Sequence, residues 1–122
     1  AGFKLKARGA AYGYGYNQQL SPSARLPKIN LERIAHPGAL IILADAAQVN
    51  TFQPPASPQN PLLEEFYYLD TNAQTAHFRH QARAGALFGD GHVDRERMLE
   101  GSLDQKMPRA LVGKLRTEAL AW

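Results

Sequence analysis

The sequence predicts an α+β domain in which a small antiparallel sheet carries a C-terminal helix. Three observations predict it. Ala84–Phe88 suits a strand and runs into Asp90-Gly91, a strong two-residue hairpin signal because both central positions of a type I′ turn need positive φ. Ala39–Ala44 is an unbroken apolar run that reads as a strand buried on both faces. Leu111, Leu115, Ala119 and Trp122 form one apolar stripe at helical spacing, after a Pro108 that suits a first helical turn.

The composition bounds the rest. A chain of 122 residues makes one domain, residues 1–122. Hydrophobic residues at 44% and charged residues at 20% exclude wholesale disorder. With no cysteine, a disulfide scaffold, a Cys-ligated zinc, a thiol nucleophile and an iron–sulfur cluster are all excluded. The longest apolar run is far short of the roughly 20 residues a membrane-spanning helix needs. Net charge is a mild +3. Lys4, Lys6 and Arg8 cluster at the start, whereas Arg95, Arg97, Lys106, Arg109, Lys114 and Arg116 are mixed with Glu96, Glu100, Asp104 and Glu118. Mixed signs read as a solvated helix face. A nucleic-acid footprint needs a denser basic stripe with interleaved aromatics, so nucleic acid is not an expected partner.

The remaining elements follow in order. Tyr12, Tyr14 and Tyr16 alternate with glycines, which puts the tyrosines on one side of an extended strand. The expectation is that they pack on the core; the alternative is an exposed aromatic platform for sugar or peptide. Ser21–Pro27 is turn material, and Asn30–Ala35 reads as a short helical turn capped by Asn30 and stopped at Pro37-Gly38. Asp45 ends the buried run, either as a site residue or as a loop carboxylate binding neighbouring N–H groups. Residues 46–61 read as a long surface loop, with Pro54, Pro55, Pro58 and Pro61 in its second half. Leu62–Leu69 fits a short helix or a strand. His92-Val93-Asp94 begins the return strand of the hairpin.

Candidate chemistry centres on the histidines. His80, Asp90, His92 and Asp94 lie close in sequence and form a candidate metal site for zinc, copper or calcium, with Asp45 as a further carboxylate. His77 and His80 meet on a helix but face opposite ways on a strand. The spacing matches no zinc template and no EF-hand. The alternative is that His80 orders the hairpin through hydrogen bonds while the others are solvated. No Gly-x-Ser-x-Gly or G-x-G-x-x-G motif is present, and the adjacent Glu64-Glu65 would point apart on a strand. No residue is therefore assigned a catalytic role.

Three segments carry a resemblance. His80, nine further residues, then Asp90-Gly91; Tyr14-Gly15-Tyr16-Asn17; and Pro37-Gly38 through Ala44-Asp45 occur in one order between about residues 12 and 94. This pattern resembles the pilin-like proteins that carry a prepilin-type cleavage segment and a processing-associated domain ending in His, nine residues, Asp-Gly. The resemblance implies a head like that of type II secretion pseudopilins, in which a small sheet packs on a long N-terminal helix. It implies a structural, non-enzymatic subunit of an extracellular or periplasmic assembly, with other pilin-like subunits or further copies of itself as partners. The membrane would be reached only through an N-terminal helix that this sequence lacks, since Gly2-Phe3-Lys4-Leu5 continues into charge. The resemblance gives His80, Asp90, Gly91, Asp45, Tyr16 and Asn17 structural roles. It has His80 donating to a carbonyl near the turn or to Asp90, and Asp45 pairing with His80 or His92. The contrasting expectation is a small secreted metal-dependent enzyme or metal-binding protein built on His80, Asp90 and His92.

Overall fold

In the computed structural model, residues 13–20 and 34–121 are described; Tyr12, the Ser21–Pro27 turn, most of the expected turn at 30–35 and Trp122 lie outside that range. The described residues form a mostly antiparallel sheet organised around one long strand. The elements are β1 (Gly13–Asn17), β2 (Ile41–Asn50), β3 (Leu62–Glu65), β4 (Tyr68–Leu69), β5 (Ala76–His77), β6 (Arg83–Phe88), β7 (Val93–Arg97), β8 (Val112–Gly113) and the one-turn helix α1 (Thr117–Leu120). The architecture is α+β in the broad sense, and mostly sheet.

Strand β2 is antiparallel to four neighbours. Its first half pairs with β1 on one edge and β6 on the other. Its second half pairs with β3, and Ala46 pairs with Ala76 of β5. Among the described residues the one parallel pairing is β1 with β4, Tyr16 opposite Tyr68. The apolar run thus continues as a strand past Asp45. Residues 46–50, expected to open a loop, are five more strand residues. Their Ala, Gln and Asn content gave no strand signal, yet Ala46, Ala47 and Asn50 are fully buried.

Two cores lie on opposite faces of β2, because its side chains alternate. Ala44 and Ala46 face a cluster with Phe78, Ala84, Ala86, Phe88, Leu115 and Leu120. Ala47 and Val49 face a second cluster with Leu63, Met107, Ala110 and Val112. One C-terminal segment serves both: residues 107–112 cover one face, β8 crosses the edge against β5, and residues 115–120 cover the other.

That route corrects the expected helix from Pro108. Pro108–Ala110 is a single 3-10 turn, Leu111 takes a left-handed φ of 58°, and Val112-Gly113 is strand. Among the described residues only Thr117–Leu120 is α-helical. At Gly113 the backbone passes close to the Met98 side chain: a Cβ would sit 2.8 Å from its sulfur and Met98 would have to shift. Leu115 and Ala119 are buried as the stripe predicted, but Leu111 is only half-buried and packs at the edge of the first core.

The tyrosine expectation also reverses. Gly15 is buried, and a Cβ on it would come 2.9 Å from the Ala46 Cβ and 3.1 Å from the Tyr68 backbone. Only glycine admits so close an approach. The glycine side of β1 therefore faces inward, and Tyr14 and Tyr16 face out, at 68% and 38% exposure.

Candidate functional site

The N-terminal half of β2 has one open face, and a groove of about 350 Å³ lies on it. Tyr14, Leu43, Asp45, His80, Leu87 and Val93 are among its lining residues. Strand alternation places them there: Tyr14 is opposite Asp45, Tyr16 opposite Leu43, and Leu87 opposite both Leu43 and Val93.

At its floor Asp45 is buried at 1% exposure and fully engaged. Oδ1 accepts from the Arg79 guanidinium at 2.6 Å. Oδ2 accepts from the Gly85 backbone N–H at 2.8 Å and lies 3.1 Å from His80 Nε2. A buried carboxylate without such partners would cost several kcal/mol. Arg79 extends the network: it donates to the Gly13 carbonyl at 3.2 Å, lies 3.2 Å from His77 Nδ1, and its guanidinium carbon sits 5.7 Å from the Tyr14 ring centre.

His77 is buried behind this network. Burial, reinforced by the neighbouring Arg79 charge, pushes its pKa down to about 4, against an opposing hydrogen bond to the Ala110 backbone. It is therefore neutral at neutral pH and able to accept from Arg79 while its other ring nitrogen serves Ala110.

The other sequence-marked residues stand elsewhere. His80 and Asp90 flank β6, so the nine-residue spacing is one strand plus its turns, about 20 Å for six strand residues. His80 closes the turn into β6 through reciprocal backbone hydrogen bonds with Arg83. Asp90-Gly91 forms the hairpin tip, but in a different turn from the one expected. Phe88 and His92 bond across a three-residue loop, Gly91 N–H donates to the Phe88 carbonyl, and Gly91 is the loop residue with positive φ, 92°. This is a type I turn with a following left-handed glycine. Asp90 Oδ1 accepts the His92 backbone N–H at 3.0 Å and also pairs with His92 Nδ1; these bonds hold the Asp90 carboxyl below its usual range. The His92 ring stacks on Phe88 at 4.3 Å.

The candidate metal set is thereby dispersed. His80 is bound to Asp45, Asp90 and His92 hold each other at the exposed tip, and Asp94 accepts from the Arg95 N–H at 2.8 Å. Among the described residues no three His, Asp or Glu side chains converge as metal ligands. The strand that separates His80 from Asp90 is the physical reason.

Asn17 is buried between elements. Its amide donates to the Ile41 carbonyl at 3.0 Å and the Leu120 carbonyl at 2.9 Å, while its Oδ1 accepts from Gln19 N–H. It ties β1 to β2 and to the end of α1. Sequence reasoning missed Arg79 and Gly85, the two closest partners of Asp45. The signal was present only as a charge next to His80 and a glycine inside a strand.

Comparison with family models, with curated proteins and with solved structures finds no match.

Proposed function

We propose that this chain is the structural head of a pilin-like subunit, working in an extracellular or periplasmic assembly of pseudopilin type. One observation carries the reading: the three segments that bear the resemblance meet at one buried carboxylate. Tyr14 stands opposite Asp45 in the sheet, Asp45 ends the second motif, and His80 and Gly85 of the third contact its Oδ2. A motif whose members hold three strands together fits an architectural role. Asn17 and Gly91 act in the same sense, at the helix end and the hairpin tip. Partners would be other subunits of the assembly or copies of this chain. The metal-dependent alternative loses its support with the dispersal of His80, Asp90, His92 and Asp94.

The test is mass spectrometry of the mature N-terminus of the protein from the cells that make it. The reading predicts prepilin-type cleavage, an N-methylated first residue and about 20 apolar residues following it. An unmodified N-terminus with no such segment in the reading frame would overturn it.

A further inference from the structure

The open face of the sheet carries a second pattern, on the hairpin β6–β7. Val93-Asp94-Arg95-Glu96-Arg97 alternates in sign along the sequence. In a strand that alternation sorts the charges onto two faces. Glu96 turns to the covered side, where Arg116 donates to it at 2.9 Å. Arg95 and Arg97 share the open face with Val93. Arg83 joins them, directly opposite Arg97 in register. Among the described residues these three arginines have no ion-pair partner, and Asp45, the buried acid of this face, is neutralised by Arg79. Like charges directly opposite in a sheet destabilise it. A polyanion lying across the hairpin removes that penalty.

The same face offers ring surface. Tyr14, Asp45, Gly85 and Arg95 form one row across four strands, so Tyr14 and Arg95 stand three strand spacings apart, about 14 Å. The adjacent row on the same face is Tyr16, Leu43, Leu87 and Val93, the last 72% exposed. Tyr16 extends the aromatic edge and meets Tyr68 edge-on at 5.0 Å. Outward aromatics on a sheet, beside unpaired guanidinium groups, are the means by which sheets hold unpaired bases: rings stack on bases and cations meet phosphates. A duplex buries its base faces and offers nothing to Tyr14.

We infer that this face binds single-stranded nucleic acid, with bases on Tyr14 and Tyr16 and phosphates on Arg83, Arg95 and Arg97. The expectation against nucleic acid rested on the mixed charges of residues 95–116, read as a solvated helix face, and on the lack of a dense basic stripe with interleaved aromatics. This inference stands apart from the pilin-like reading and survives its failure.

The test is fluorescence anisotropy of a labelled twenty-residue oligothymidine with the full 122-residue chain. Three phosphate contacts predict that affinity falls about 20-fold between 50 and 200 mM salt, from a slope of about −0.7 per contact for single strands. R95E/R97E should weaken binding at least tenfold and Tyr14→Ala about tenfold, while R109E, a charge reversal outside the β6–β7 hairpin, changes it less than twofold. Unchanged thermal unfolding certifies the variants as folded. The inference is overturned if the chain fails to bind, if R95E/R97E binds like wild type, if duplex of equal length binds as tightly, or if heparin competes equally and Tyr14→Ala has no effect, which would make the face a site for sulfated glycan.

Discussion

Strand β6 has a His–Asp pair at each end, and the two differ in almost everything but residue type. At one end Asp45 is buried, with Arg79, Gly85 N–H and His80 around it. At the other, Asp90 and His92 pair in the open, each more than 40% exposed. In the first pair the carboxylate is surrounded by protein although the His80 ring is half-exposed, so removing it leaves the largely buried Arg79 guanidinium and the Gly85 N–H without their acceptor. The second exchanges one solvated arrangement for another, and water screens it. The comparison teaches that the motif's histidine and aspartate are not one site. The histidine belongs to the core network and the aspartate to the turn.

The ends can be told apart by mutation. Asp45→Ala should have the largest effect, a loss of about 3–5 kcal/mol in urea unfolding, because it strands the Arg79 guanidinium beside a buried imidazole. Next is acid sensitivity. The His77 pKa lies at about 4 when folded, below the ordinary value of 6.5. The unfolded chain therefore takes up a proton first, and stability present above pH 6.5 is lost as pH falls toward 4. The loss is at most about 3 kcal/mol, and His77→Gln should flatten that part of the stability–pH profile. His80→Ala is smaller, about 1 kcal/mol, since the ring is half-exposed and Asp45 keeps its other partners. Asp90→Ala should leave the melting temperature within error of wild type and so mark the tip as the dispensable pair.

The same contrast explains what the sequence made legible. The hairpin was readable because Asp-Gly and an alternating strand are local signals, and local signals survive folding. Strand β2 was readable only to Asp45, since its later residues are buried by partners distant in sequence, among them Leu63 and Met107. Apolar area alone would turn the tyrosines toward the core, but the space available decides the side. Gly15 lies so close to Ala46 and Tyr68 that the glycine side must face in. The stripe Leu111, Leu115, Ala119 fits helical spacing by coincidence. The chain there crosses a sheet edge, and Val112-Gly113 pairs with Ala76-His77 instead. Asp45 was marked as a residue of interest by its place beside an apolar run. That Arg79 would be its closest partner depends on how β5 and β6 fold back across β2, which no local pattern carries.

The central claim is that Asp45 and Arg79 join the three motif segments as one structural unit. A double-mutant cycle on Asp45→Ala and Arg79→Ala, read by urea unfolding at pH 7, tests it most directly. The account predicts a coupling of about 2 kcal/mol or more, within the range for residues in one buried network. Additive effects, with either single variant as stable as wild type, would contradict it.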